Sequence, residues 1–319
     1  MNKNPTVSVI IPTYNRAHIV GRAIQSVLDQ TYQDFELIIV DDGSTDNTKD
    51  IIKEFQEQDK RVKYIKHEKN RGGSAARNTG IKNSSGYFLS FLDSDDQWLP
   101  NKLESEVKIL NNNKNCIICS TGHIFINEKN GKINDKMIRR SIIKKQLVSQ
   151  KIVLRSECLT TNDFTVTKKA TLKIGGFDKK LPARQDWDFW IRITSIGLGF
   201  QIPIITVNKY VMRNDQISSG IKNKLQGTEI IFKKHKKLFL LDSIAHKRIL
   251  GTLGLMNLLN GSNVDAIKYF RESYKYTKKW SKKAKLAIII VVIKIFGDRG
   301  SKAIASYYKF KNPNSYLLW

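Results

Sequence analysis

Five short runs rich in β-branched residues recur through the first part of the chain, and each of the first four is followed by a stretch long enough for a helix. This alternation constrains the fold more than any other feature. The runs are VSVIIP at 7–12, ELIIVD at 36–41, VKYIKH at 62–67, YFLSFL at 87–92 and IICSTGHIFI at 117–126. Helical patterns lie between them. One covers 17–30, with Ile19, Ala23, Ile24, Val27 and Leu28 on one face; others cover 47–58 after Asp46 as N-cap, 73–83, and 100–112 opened by Pro100. Such an order predicts an α/β fold, a Rossmann-type, mainly parallel sheet flanked by helices. Ligands of these sheets bind beyond the carboxyl ends of the strands. There the sequence sets Thr13-Tyr14-Asn15, Asp41-Asp42 and the group Asp93, Asp95 and Asp96, so polar and acidic residues converge on one edge.

The 319 residues suffice for this domain and a smaller one, and the expected division is 1–220 and 221–319. Residues 127–165 are Lys-rich and without clear period. A Gly-Gly turn at 175–176 leads through a loop to an amphipathic helix ending near 193. The last 99 residues read as mostly helical, and 251–275 has the small-residue and aromatic spacing of a helical hairpin. The net charge is +26, and 21 Lys/Arg against 5 Asp/Glu in 221–319 place +16 of it there. A basic region of this kind suits a polyanionic surface, either anionic lipid or nucleic acid. Nucleic acid is the weaker choice. The basic residues are spread along helices without a recognition motif, and the acidic edge repels phosphate backbones.

Three cysteines, Cys116, Cys119 and Cys158, suggest a reduced, cytoplasmic chain rather than a disulfide framework. The pair 116–119 lacks a second pair to complete a metal site, so it reads as core. The N-terminal apolar run stops at Pro12, unlike a signal peptide. The longest apolar stretch, LAIIIVVIKIF at 286–296, falls short of the roughly 20 residues needed to span a bilayer.

Asp93 and Asp95 lie two apart, so at a strand end they point the same way and suit a divalent cation such as Mg2+ or Mn2+. The bland alternative is a capped turn before the helix at Pro100. Asp96 points elsewhere and suits the turn and helix start.

The company of this motif is informative. VSVIIPTYNR (7–16), LIIVDDGSTDNT (37–48), NRGGSAARNTGI (70–81), FLDSDDQWLPNKL (91–103) and the segment from GGFD to RQDWDFWIRI (175–193) occur in order. Together these five blocks resemble the family 2 glycosyltransferases of GT-A fold, over about residues 5–220. The resemblance implies an inverting transfer of a sugar from a nucleotide-sugar, most simply UDP-linked, to a hydroxyl of a glycan or polyprenol-linked acceptor. It places the nucleotide on Pro12, Thr13, Tyr14 and Asn15, with Asp42 accepting from the base, Arg77 beside base and diphosphate, and Asp93 on the ribose. It gives the metal to Asp95 and the role of catalytic base to Asp186, preceded here by Gln185 where the family usually has Glu. For Asp186 the competing reading is a helix N-cap before Trp187. Trp187 and Gly176 are candidate acceptor or sugar contacts. Relatives often carry a His where this chain has Arg213; an Arg pairs with diphosphate but cannot ligate a metal.

A sugar nucleotidyltransferase shares the broad architecture, but it wants a Gly-rich loop after the first strand, where this chain has PTYNR. Finally, Lys residues precede and interrupt the apolar stretch within 278–302. That combination suits a peripheral contact with the inner face of a membrane as well as it suits a buried helix with a solvated flank.

Overall fold

The computed structural model describes residues 4–113, 115–127, 146–155, 160–211, 220–278 and 280–311. Arg213 and Cys158 lie outside the described residues. The chain forms two compact units. The first comprises residues 1–153, 158–179 and 186–215; the second comprises 154–157, 180–185 and 216–319.

Among the described residues, the first unit is built on a nine-stranded mixed sheet ordered β3-β2-β1-β4-β8-β6-β9-β5, with β7 also on β9. Its nucleus is the predicted alternation: β1 (Val7–Thr13), α1 (Val20–Leu28), β2 (Phe35–Asp41), α2 (Thr48–Gln58), β3 (Val62–Lys66), α3 (Gly73–Asn83) and β4 (Phe88–Phe91). β1 through β4 are all parallel, with Val7 level with both Phe35 and Phe88. β2 is buried along its whole length, because its residues alternate between two helix layers. Leu37 and Ile39 join Val20, Ile24 and Ile52 on one face, while Ile38 and Val40 meet Ala76 of α3 on the other.

Beyond β4 the pairing changes. After β5 (Gln97–Trp98), α4 (Lys102–Asn112), β6 (Cys116–Asn127), β7 (Gln146–Val148) and α5 (Gln150–Arg155) comes β8 (Phe164–Thr167). It inserts antiparallel between β4 and β6. α6 (Lys168–Lys173) and α7 (Gln185–Ile193) follow, and β9 (Leu198–Val211) then runs parallel to β6 and antiparallel to β5 and β7. The sheet is therefore less parallel in its second half than the alternation predicts. Cys116 and Cys119 are free thiols buried in β6, and burial pushes both thiols up.

An aromatic layer fixes α7 to the sheet. Phe189 of α7 stacks on Phe177 (4.6 Å) and on Phe164 of β8 (5.4 Å), and Phe177 meets Phe91 of β4 edge-on at 5.1 Å.

The second unit contains α8 (Ile221–Lys234), α9 (Lys236–Leu241), α10 (Ser243–Leu259), α11 (Asn263–Lys275) and α12 (Trp280–Lys311). α10 and α11 form the predicted hairpin. A Cβ on Gly254 would sit 2.6 Å from the Phe270 ring, so the small residue lets the aromatic close onto α10. α12 breaks from helical geometry at Gly297 (φ 51°, ψ −129°). Among the described residues no helix is long and apolar enough to cross a membrane.

Candidate functional site

The parallel strands bring three loops to one edge. Thr13 is in register with Asp41, and the Asp42 amide donates to the Thr13 carbonyl (2.8 Å). Pro12 and Thr13 end β1, and Tyr14 is partly exposed just beyond it. Asn15 takes a left-handed conformation (φ 52°). Its own amide donates to Ser44 Oγ (2.8 Å), and its side-chain oxygen accepts from the Thr45 amide (2.9 Å). The PTYN turn is thus tied to the DDGST loop. Thr13 Oγ1 is buried and has no hydrogen-bond partner among the described residues, and such a group costs about 1–3 kcal/mol until a ligand or water meets it.

Asp42 is placed at this edge but is already engaged. Its carboxylate accepts from the amides of Arg71 (3.0 Å) and Gly72 (2.7 Å) and faces His67 Nδ1 at 2.6 Å. It therefore shapes the loop that leads into α3. Its neighbour Asp41 is spent on the Ser44 amide and the Tyr64 hydroxyl.

β4 ends at Phe91, so Asp93, Asp95 and Asp96 sit in the turn past the strand, where the two-residue repeat of a strand no longer governs them. Arg77 of α3 donates to Asp93 at 2.5 Å, and the Asp93 amide donates to Asn162 Oδ1 (2.8 Å). Burial pushes the Asp93 carboxyl up, but Arg77 and Lys209 outweigh it and hold it below the usual carboxylate range. For Asp95 the balance is opposite: burial and then Asp93 raise it, against weaker relief from Lys209 and Arg16. Among the described residues no neighbour donates a hydrogen bond to the Asp95 carboxylate; Arg22 takes its backbone carbonyl instead (2.8 Å).

Asp96 departs from the expectation of a helix-start residue. α4 begins at Lys102 with Asn101 at its cap. The Asp96 carboxylate instead turns inward, accepting from Asn162 Nδ2 and from the Tyr210 amide (3.0 Å), with Lys209 Nζ 3.5 Å away. The reason is the crowding itself: three successive acids beside β9 need a cation, and β9 supplies one. Burial and the neighbouring Asp95 and Asp93 push the Asp96 carboxyl up, against the pull of Lys209.

Lys209, Asn162, Asp163 and His123 escaped the sequence reading. Burial works against the Lys209 ammonium, yet Asp96, Asp93, Asp163 and Asp95 together push its pKa up. It also donates to Thr160 Oγ1 (3.3 Å). Asp163 faces His123 Nδ1 at 2.9 Å; burial raises its carboxyl, and His123, Lys209 and the Thr160 amide together hold it below the usual range. A signal existed in the polar run TTND at 160–163, directly before a β-branched run, but it fell in a stretch without period.

Asp186 lies in the first turn of α7 and is partly exposed, its Oδ1 accepting from the Trp187 amide at 2.8 Å. Both readings of this residue, first-turn cap and proton-accepting carboxylate, are compatible with that position. Trp187 is 5 % exposed and donates its indole N–H to the Val153 carbonyl (2.9 Å), which makes it a packing residue first. Trp190 is buried as well.

Gly176 has a local task. It sits at φ 70°, and a Cβ there would come 2.5 Å from Asn78 Oδ1. That amide clamps the next residue from both sides: the Phe177 amide donates to Oδ1 and Nδ2 donates to the Phe177 carbonyl, each at 2.8 Å. The ARNTG block thus holds the GGFD block. Gly176→Ala is expected to cost roughly 2–3 kcal/mol, through left-handed strain and loss of this clamp. Chemical denaturation measures it; an unchanged midpoint would remove the clamp from the account.

No three Asp, Glu, His or Cys side chains gather as a metal cage among the described residues. The donor set nonetheless fits a divalent cation shared with phosphate oxygens. Mg2+ is commonly held by one or two carboxylates plus substrate phosphates, and the Asp95 carboxyl is pushed up by burial and by Asp93.

The family model for glycosyl transferase family 2 matches residues 8–171. Among curated relatives, the Escherichia coli enzyme UDP-Glc:alpha-D-GlcNAc-diphosphoundecaprenol beta-1,3-glucosyltransferase WfgD is 34% identical over 223 residues, covering 67% of this chain and 80% of WfgD. Two solved structures share the fold. One is S. aureus TarS 1–349 in complex with UDP-GlcNAc, with TM-score 0.67, 17% identity and coverage of 96% of this chain and 92% of that one. The other is the mannosyltransferase PcManGT of Pyrobaculum calidifontis with GDP-Man and Mn2+, with TM-score 0.61, 18% identity and coverage of 98% and 89%. An α/β domain with strand-end acidic motifs, a helical C-terminal region and this family match leave one assignment: the chain belongs to glycosyl transferase family 2 and is a glycosyltransferase.

Proposed function

We propose that the chain is an inverting hexosyl- or N-acetylhexosaminyltransferase. It moves a sugar from a nucleotide-sugar, UDP-linked in the simplest reading, to a hydroxyl of a glycan or polyprenol-linked acceptor in surface polysaccharide or glycoconjugate synthesis. The observation that carries the donor reading is the meeting of Arg77 with Asp93 beside Asp95, whose carboxyl burial and Asp93 push up, at the edge where Thr13 Oγ1 has no partner among the described residues. Those groups offer a guanidinium for diphosphate, a carboxylate for ribose and a hydroxyl for the nucleotide. The names of WfgD and of the TarS complex, which specify a UDP-glucose donor and UDP-GlcNAc, support the same class of donor.

In this reading Pro12, Thr13, Tyr14, Asn15 and Asp42 shape the nucleotide pocket, and Arg213 adds a diphosphate contact from outside the described residues. Asp95 would hold Mg2+ or Mn2+, which would neutralise charge on the leaving diphosphate, and PcManGT carries Mn2+ in its complex. Asp186 accepts the proton of the attacking acceptor hydroxyl, and the bond from that oxygen to the anomeric carbon forms as the bond to the diphosphate breaks. Trp187 and Gly176 shape the acceptor side through their neighbours. A polyprenol-linked acceptor resides in a membrane, and the basic segment 278–302 suits a peripheral approach to it from the cytoplasmic face.

A panel of UDP- and GDP-sugars tests this reading through hydrolysis and thermal stabilisation, with Mg2+, Mn2+ or a chelator present. A UDP-sugar is expected to stabilise the protein and to be hydrolysed slowly, with metal strengthening both. Release of diphosphate from a sugar phosphate and a nucleoside triphosphate, with no response to any nucleotide-sugar, would instead establish a nucleotidyltransferase.

A further inference from the structure

α12 is apolar on two faces, and the second unit covers only one of them. Leu286, Ile289 and Ile293 are buried against Leu255, Ala266 and Phe270 of α10 and α11. On the opposite side Trp280, Ile288, Val291 and Ile295 stand 81%, 62%, 50% and 67% exposed. With Ala284 they recur at three- and four-residue steps, so they form one stripe down the helix before the break at Gly297. At 3.6 residues per turn, Lys283 and Lys294 fall along one border of that stripe and Lys285 along the other. Lys283 extends over the Tyr274 ring of α11 (5.1 Å). Residues 278–302 hold eight Lys/Arg and a single acid, Asp298, which is occupied by Asn263 Nδ2 at 2.7 Å.

We infer that this outward face of α12 lies in the interface of an anionic lipid bilayer, with Ile288, Val291 and Ile295 at the acyl boundary and the bordering lysines among the headgroups. Three features select this occupant. The apolar stripe is narrow and has lysines along both borders, Lys294 among them exposed, as interfacial helices require. Trp280 closes one end, and indoles favour the headgroup level. A second copy of the same face would bring its own cations against these, whereas anionic headgroups complement them. The break at Gly297 ends the stripe, and among the described residues no helix is long and apolar enough to cross a membrane. Burial in the core and contact with lipid thus occupy different faces of one helix. The inference stands on α12 alone, so it is independent of which sugar the enzyme transfers.

The test is co-sedimentation of the full chain with phosphatidylcholine vesicles, with and without about one-third phosphatidylglycerol. The wild type is expected to bind only the anionic vesicles, less so at high salt. The triple variant I288S/V291S/I295S alters exposed positions, so its thermal midpoint is expected to hold while its partitioning falls by about tenfold or more. A full-chain binding failure would overturn the inference. So would vesicle binding unaffected by the triple substitution, since that would be surface charge alone. A dimer in lipid-free solution that the same substitutions convert to monomer would assign the face to a second copy and overturn it equally. Hydrolysis of the nucleotide-sugar in the absence of vesicles reports separately on the transferase reading.

Discussion

Asp186→Asn is expected to lower sugar transfer by about 10²–10⁴-fold, the range a positioned general base contributes, while donor binding measured by calorimetry stays as in the wild type. The substitution is chosen to separate two roles that the geometry allows. Oδ1 accepts from the Trp187 amide, and an amide oxygen of Asn can accept that bond equally well. Asn and Asp serve almost alike as helix caps. If Asp186 only caps α7, the Asn variant keeps its fold and its activity. If the carboxylate takes the proton, the fold is kept and the rate is lost, because a neutral amide is no base. Unchanged transfer would therefore remove Asp186 from the chemistry outright, and a lower thermal midpoint would reveal a cap that the isosteric amide fails to replace.

Lys209→Met is expected to destabilise the first unit by about 3–5 kcal/mol, the usual effect of leaving a buried charge without its partner. Four carboxylates, those of Asp93, Asp95, Asp96 and Asp163, push the pKa of this ammonium up, and Asp96 lies 3.5 Å from it. The methionine keeps most of the stem's apolar packing, so the loss isolates the charge. Pairing it with Asp96→Asn removes one acid as well, and the double variant is expected to recover a substantial part of the loss. Denaturant titrations of the two single variants and the double variant complete the cycle. A single-variant loss below about 1 kcal/mol would show that water, rather than Lys209, balances these acids.

The parallel half of the fold was legible because its strands are buried on both faces and its helices show one clear stripe. Strands such as LIIV at 37–40 state their environment in every residue. The second half was not legible in the same way. β8 is four residues long and buried throughout, too short to display a period. β9 mixes polar residues into its length because it lines the acidic group as well as the core. The acidic turn was found from sequence, but its internal organisation was not. Asp96 turned away from the helix start because its nearest cation, Lys209, lies more than one hundred residues later in the chain. Long-range charge pairing of this kind leaves no local pattern. Asn78 is a similar case: within ARNTG it reads as part of a nucleotide block, yet its amide is occupied with the backbone of Phe177.

That clamp makes α3 a common ruler for two substrates. Near its N-terminal end the helix is anchored through Asp42, which holds the amides of Arg71 and Gly72, and one turn on it carries Arg77 to Asp93. The adjacent residue, Asn78, grips Phe177, whose ring stacks on Phe189 three positions beyond Asp186. If Arg77 meets the diphosphate and Asp186 is the base, as proposed, then both are gauged from neighbouring residues of one helix. In-line displacement tolerates little misplacement of its reacting atoms. A shared ruler keeps that spacing without demanding that the rest of the domain stand still.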